Sequence, residues 1–515
     1  MSRRRLEFEK GGGGSRVRSQ PETNGVREEP RIAGVGYEAV DDGYFTRRRL
    51  RRHARVGSLW ALGVGAVISG DFFGWNFGLA AGGFGGLLIA TVVITVLYVG
   101  LCFSVAEMTA ALPHTGGAYS FARSSMGPWG AYVTGLAENM EYILTPAVIV
   151  VGIGGYLGAI FGTPESWAPA WWALAYAVFV GLNIAGVETS FRFTVAITLL
   201  ALGILAVFWV GALFHLDLSR FAFDIEPGPG HSVWLPKGWM GVLAALPFAI
   251  WFYLAIEELP LAAEEAHAPQ RDLPVGLLAG LGTLIVCAFL TLVLGAGIAP
   301  GAAGLGASEE PLFESLKTIF GSGLGTRVLA LVAVAGLVAS FHTIIFAYGR
   351  QIFSLSRAVY FPRWLSLTHG TRHTPHVALV IGAGLGYLVA LTIHGLGSDH
   401  PVGAVLLNMA VFGAVISYAL QMTSYVLLRR RLPHIDRPYR SPLGIPGALV
   451  ALGISLLTLV ALFVADPIYQ KVVVGAAVWY AAGLLYFAIF ARRRLVTAPE
   501  ERFALEASRS ADGGP

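Results

Sequence analysis

The stretch GAVISGDFFGW, residues 65–75, interrupts a long apolar run with three glycines, a serine and an aspartate, Asp71. A carboxylate at the centre of a membrane helix costs roughly 2.5–3.5 kcal/mol even on the lenient insertion scale. Glycine weakens a helix by about 1 kcal/mol relative to alanine. Such a run is either a packing surface for a neighbouring helix or a helix broken at a binding site. Close packing accounts for Gly63 and Gly65. It does not account for Ser69, Gly70 and Asp71 together, so the stretch reads as a broken helix.

On both sides of this stretch the composition is that of a membrane protein. The 515 residues are 55% hydrophobic and only 13% charged, against about 25% charged in a soluble chain. Apolar blocks of twenty or more residues alternate with short polar loops, which predicts an all-α polytopic membrane protein. The expected spans are 57–80, 86–112, 128–160, 169–187, 191–214, 238–260, 274–299, 327–356, 376–395, 402–428, 443–465 and 470–491. Residues 1–56 carry GGGGS and clustered charge and read as a disordered tail. A ten-helix core over 57–428 is followed by two further helices over 429–491 and a second tail over 492–515. No apolar run follows the basic start MSRRRLEFEK, so no cleaved signal peptide is expected. Cys102 and Cys287 fall inside apolar blocks and read as core residues, not as a disulfide or metal site.

Lysine and arginine set the orientation. With the N-terminus inside, the outside loops hold Arg220, Lys237, Lys317, Arg327 and Lys471, five of 36 basic residues, leaving 31 inside. The reverse would translocate RRRLRRHAR (47–55), RRRLPH (429–434) and RRR (492–494). Both termini are therefore expected on the cytoplasmic side of the cell membrane. The arginine runs are topology signals, and no nucleic-acid partner is expected.

A second interruption matches the first. Span 6 carries ALPFAIWFYLAIEELP (245–260), with Pro247 before the odd stretch and Glu257, Glu258 and Pro260 after it. Spans 1 and 6 head successive groups of five helices. Matched interruptions of this kind point to an inverted-repeat transporter with its site near the midplane.

Several segments then carry a resemblance. LAAEEAHAPQRDLP (261–274), LPHTGGAY (112–119), YGRQIFSLSRAVYFPRWLSLTHGTRHTP (348–375) and RPYRSPLG (437–444) resemble, in order, segments of the amino acid–polyamine–organocation (APC) transporters. The resemblance runs from about residue 57 to 491. It implies the five-plus-five inverted-repeat fold with discontinuous helices 1 and 6, two extra helices, and alternating-access transport of small amines or amino acids. GVGAVISGDFFGWNFGL (63–79) and ENMEYILTPAVIVVGIGGYL (138–157) look most like the ethanolamine permeases.

By that resemblance Ser69, Gly70 and Asp71 stand where amino acid carriers have a Gly-Ser-Gly type break that binds the substrate carboxylate. A fixed carboxylate there repels a substrate carboxylate and attracts an ammonium; the alternative is a purely structural cap. Glu138 and Glu141 share a face of span 3 with Tyr142 and Thr145 near it, and a cationic substrate would relieve their repulsion. Asn139 is expected to bond a neighbouring helix. Trp251 falls at the place where a tryptophan of an arginine/agmatine exchanger of this superfamily stacks on substrate, through a cation–π attraction of roughly 0.5–2 kcal/mol. Phe248, Trp75 and Tyr253 are further candidates. Glu257 matches a family carboxylate and is a candidate for coupling, as is His342, which titrates near neutrality. Ser340 and Thr343 are candidate oxygen ligands at the family's sodium position. Some proton-coupled members fill that position with a span 5 lysine, and an ungapped count places Ala201 there.

Enzyme classes find no support in HExxH, GxSxG or GxxxxGK[ST] motifs, and the only soluble parts are short tails. The expected function is import of ethanolamine or a related small amine, without cofactor or metal. An amino acid or polyamine permease, a transporter-fold sensor and a channel are the alternatives. The expected partners are a small amine and the lipid bilayer. Coupling ion and oligomeric state are left open.

Overall fold

The computed structural model describes residues 34–41, 43–308, 310–321, 323–395, 402–464 and 468–498. The tails over 1–33 and 499–515 lie outside the described residues. Nine helices among the described residues are long and apolar enough to cross a bilayer. Three shorter apolar helices, Val56–Phe72, Gly238–Ile250 and His376–Thr392, bring the series to the twelve expected.

Span 1 is Val56–Val67 with the turn Ser69–Phe72, and it ends at Phe73, whose backbone is extended. Helix resumes at Phe77 and runs to Ala111, with Gly83 at φ 72 separating 77–82 from span 2 proper. The second long helix, Gly117–Phe161, is divided likewise by Gly127 at φ 77. Span 3 therefore starts at Pro128, where proline suits a first helical turn. Span 4 is Ala168–Ala185 and span 5 Val187–Leu213. Span 6 is Gly238–Ile250, then five residues without regular structure, then a 3₁₀ segment Ile256–Glu265. Spans 7 to 12 are Pro269–Ala296, Leu324–Arg357, His376–Gly395, Val402–Arg431, Gly444–Val464 and Ile468–Tyr486, the last continuing as a wider π turn, Phe487–Ala491.

Burial sorts these helices into an axis and a rim. The apolar windows of spans 3 and 8 are 78% and 83% buried, so both lie at the axis; those of spans 4 and 12 are 28% and 17% buried. The rim exposes Leu174, Val210, Val460, Val474 and Val478, as lipid-facing surfaces do. Span 3 packs against spans 8 and 10, span 2 against spans 6 and 7, and span 1 against spans 5, 7 and 8. The two interrupted helices are thereby held inside the bundle, where irregular backbone is tolerated in a membrane.

The expectation of a disordered segment over 1–56 is corrected over its second part. Residues 34–38 run alongside 492–495, Gly36 N–H donating to Arg492 O at 2.8 Å and Leu495 N–H to Gly36 O at 3.1 Å. Gly43–Thr46 forms a helical turn, and the Tyr44 hydroxyl donates to Arg357 O at 3.0 Å. Just before span 1, the N–H groups of His53 and Ala54 donate to Glu265 O, and His267 N–H donates to Ala54 O. Backbone pairing of this kind has no hydropathy signature, so the charged composition hid it.

Candidate substrate site

The two interruptions meet backbone to backbone. A Cβ on Gly70 would lie 1.8 Å from the Trp251 carbonyl oxygen, so no side chain fits there. Gly74, at φ 97, sits under the Trp251 ring. Around this crossing the aromatic residues interlock: Phe73 with Trp251 at 6.1 Å, Trp75 stacked on Phe252 at 5.6 Å, and Phe77 with Phe248 at 6.3 Å. Ala255 closes the span 6 interruption in the left-handed region, φ 81, a conformation costing a residue with a Cβ about 1–2 kcal/mol.

Four acidic side chains around this crossing, Asp71, Glu141, Glu257 and Glu258, are buried with no basic partner among the described residues, and their polar neighbours are Thr291 at Asp71 and Tyr418 and Glu141 at Glu257. Asp71 lies beside Thr291 and Cys287 of span 7, and near Tyr253. Glu141 of span 3 and Glu257 of span 6 lie side by side, with Glu258 and Tyr142 close by. The Tyr142 hydroxyl is buried and unpartnered. No lysine or arginine pairs with any of the four among the described residues. A chain of tyrosines connects the two acidic places. The Tyr253 hydroxyl is 2.7 Å from Thr95 Oγ1, the Tyr253 and Tyr98 rings are 5.0 Å apart, and the Tyr98 and Tyr418 hydroxyls are 2.8 Å apart. Carboxylates so placed need a cation or a proton between them.

Other expected site residues are placed differently. Glu138 accepts from Gln351 Nε2 at 2.5 Å and from the backbone N–H groups of Ala118 and Tyr119, so it caps the helix that leads into span 3. His342 is enclosed by polar and aromatic neighbours of spans 4 and 5. Asn183 Nδ2 lies 3.1 Å from His342 Nδ1, Ser190 Oγ lies 3.0 Å from Nε2, and Phe179 and Phe193 flank the ring. His342 thus ties span 8 to spans 4 and 5. Ser340 Oγ accepts from Ser69 N–H and donates to Gly65 O, both at 2.9 Å. It bridges the backbone on the near side of the span 1 break. Thr343 Oγ1 donates to Ala339 O of its own helix, and Asn139 Nδ2 to Gly135 O of its own. The span 5 residue that reaches span 1 is Thr198, three positions before Ala201. Its hydroxyl donates to Ala61 O at 3.1 Å and lies against Gly65.

Sequence reading did not find Thr291, Tyr98, Tyr418 or Thr95. Each is a single polar residue inside an apolar run, and Tyr98 and Tyr418 are 320 residues apart. Glu258 had a signal, since it adjoins Glu257.

Three other acidic groups are paired with arginine, and they lie at the end of the bundle where the arginine runs are. Glu265 and Arg350 are both completely buried and joined at 2.8 and 3.2 Å. Glu264 meets Arg357 at 2.5 and 3.0 Å. Glu107 accepts from Arg429, from the Tyr425 hydroxyl at 2.9 Å and from Ser441 N–H at 2.8 Å, and pairs with Arg437.

Twelve apolar helices with paired interruptions in the first and sixth define a multi-pass membrane transporter. Residues 56–490 match the amino acid permease family, and the chain belongs to it, within the APC superfamily. An uncharacterized transporter of Rhizobium meliloti is 31% identical over 77% of this chain and 83% of its own length. The branched-chain amino acid permease BcaP of Bacillus subtilis is 26% identical over 87% of this chain and 94% of its own. The methylthioribose transporter of the same organism is 23% identical over 87% and 95%.

Proposed function

We propose that the chain imports a small organic amine, such as ethanolamine, across the cytoplasmic membrane, with both termini inside. The observation that carries this reading is the set of buried carboxylates without cations at the crossing of the two interrupted spans. Asp71 takes the ammonium, and Trp251 covers it from span 6 by cation–π attraction. A carboxylate on the substrate would be repelled by Asp71 and find no basic side chain paired to it. Spans 1 and 6 exchange access by moving against spans 3 and 8, and the glycine-only approach of Gly70 to Trp251 is where they bear on each other. Ethanolamine has about four heavy atoms, so its binding free energy is bounded near −6 kcal/mol, a Kd in the tens of micromolar.

No co-transported ion is required in this scheme. The hydroxyls of Ser340, Thr343 and Thr198 donate to backbone carbonyls, and the scheme rests on the substrate's own charge. A monovalent cation moving inward gains about 2.3 kcal/mol per 100 mV. Proteoliposomes with an inside-negative potassium diffusion potential, free of sodium and without a pH gradient, should accumulate ethanolamine. Accumulation only with sodium or only with a proton gradient would overturn the uncoupled scheme.

The second reading is a neutral amino acid permease, favoured by the family and by the branched-chain amino acid permease among the relatives. Competition against labelled ethanolamine by choline, putrescine, alanine, leucine and arginine decides between them. The amine reading expects the carboxylate-free amines to compete and alanine and leucine to fail. Uptake of leucine with indifference to ethanolamine would establish the second reading.

A further inference from the structure

Away from the substrate site, at the end of the bundle that carries the arginine runs, a cavity of about 520 Å³ is lined by Thr46, Arg49, Leu50, Arg51, Arg52 and His373. We propose that this cavity binds the phosphate of an anionic lipid headgroup.

Three observations carry the proposal. First, the arginines here are uncommitted, unlike their neighbours. Arg47 is paired with Asp41, Arg48 donates to Ser366 Oγ and Tyr44 O, and Arg363 is paired with Glu38. Arg49, Arg51 and Arg52 are exposed, and their side chains have no acidic partner among the described residues. Three arginines lining one cavity repel one another unless an anion joins them. A phosphate, with oxygens that accept paired guanidinium N–H groups, fits that donor set.

Second, the opposite wall is preset. His373 holds the left-handed backbone conformation, φ 53, uncommon for a residue with a side chain. It is fixed there because His373 N–H donates to His369 O and His369 N–H to Thr374 O, both at 2.9 Å. Thr368 Oγ1 donates to Arg47 O at 2.8 Å and seals the same loop against the arginine segment. His373 on this braced loop adds an imidazole to the residues that line the cavity.

Third, the cavity is at headgroup level. Arg52 is four residues before Val56, where span 1 begins. Arginines immediately beside a membrane span face the lipid phosphates, and each basic residue near an anionic surface contributes about fivefold to association. This position favours a lipid phosphate over a soluble phosphate ester, although both offer the same chemistry.

The test uses the full chain in phosphatidylcholine nanodiscs with and without phosphatidylglycerol, and counts retained lipids by native mass spectrometry. The expected result is selective retention of phosphatidylglycerol, reduced more than about tenfold in the variant Arg49→Gln/Arg51→Gln/Arg52→Gln. A control with equal charge loss at the same end, Arg430→Gln/Arg440→Gln/Arg493→Gln, should retain it. His373→Gln, which leaves every arginine in place, should lower retention severalfold without a change in melting temperature. It keeps the test open if the triple variant folds poorly. Equal loss in both triple variants would reduce the cavity to diffuse surface charge and overturn the proposal. Release of phosphatidylglycerol by millimolar inorganic phosphate or glycerol phosphate would overturn the lipid assignment in favour of a soluble phosphate ester. Absence of retention in the parent chain would overturn it outright.

Discussion

Two sets of buried carboxylates in this protein are treated in opposite ways. At the arginine-rich end Glu107, Glu264 and Glu265 each meet a guanidinium, and Glu265 with Arg350 makes a pair withdrawn entirely from solvent. At the crossing of spans 1 and 6, Asp71, Glu141, Glu257 and Glu258 are buried and meet none. Desolvation penalises both sets, least at half-buried Glu264. The first set is offset inside the fold, where it locks the ends of spans 6, 8 and 10 to their neighbours. The second has no counter-charge within the described fold, and on the proposed function the substrate ammonium supplies it. Burial of charge alone therefore does not mark function; burial without a partner does.

Breaking the paired set should cost the most. Arg350→Met leaves Glu265 buried and alone, and removal of one partner from such a pair costs about 3–5 kcal/mol. The expected outcome is a large fall in melting temperature and in folded yield, whereas replacing both, Arg350→Met with Glu265→Leu, should recover most of it. Equal losses in the single and double variants would break the comparison. Next, Asp71→Asn should leave the fold stable or slightly more so, yet lower ethanolamine uptake tenfold or more. That follows from losing a charge-assisted hydrogen bond of about 1.5–3 kcal/mol. A fall in melting temperature like that of Arg350→Met would place Asp71 in the structural set. Ala255→Gly should raise stability by about 1 kcal/mol, by relieving the left-handed backbone at the span 6 interruption. An unchanged or lower denaturation midpoint would count against strain at that point. The smallest effect belongs to the exposed pair Arg192–Glu188, one turn apart on span 5. Glu188→Gln there should change stability by less than about 0.5 kcal/mol, and a larger change would mean that partner count at the surface matters as much as burial.

Much of the helix order was legible because each crossing is an apolar block, and the two interruptions were legible because glycine, proline and carboxylates stand out in such blocks. The 3₁₀ course of Ile256–Glu265 was not, since Pro260 signals a departure from α-helix without saying which. The Gly83 and Gly127 turns were legible only as glycines, because φ depends on the neighbours that force it; at Gly83 a Cβ would strike Pro236 at 2.4 Å. Within the site, Asp71, Glu141, Trp251 and Glu257 stood out by residue type. Their surroundings did not, because which side chains meet in space is a long-range property. Glu138 looked identical to Glu141 on one helix face, yet Gln351, 213 residues away, takes up the first and not the second. His342 stood out as a titratable residue, while its contacts with Asn183 and Ser190 had no sequence signal.

The central claim is that the carboxylates without partners are completed by the substrate's positive charge. It is tested most directly by the thermal stabilisation that ethanolamine confers on purified protein, compared with Asp71→Asn, Glu141→Gln and the paired-set variant Glu107→Gln. Ligand binding raises the melting temperature, by an amount that grows with the logarithm of ligand concentration over Kd. The account predicts that millimolar ethanolamine stabilises the parent chain and Glu107→Gln alike, Glu107→Gln starting from a lower baseline, and that Asp71→Asn loses the stabilisation. Equal stabilisation of Asp71→Asn and the parent, or stabilisation by alanine and not by ethanolamine, would contradict it.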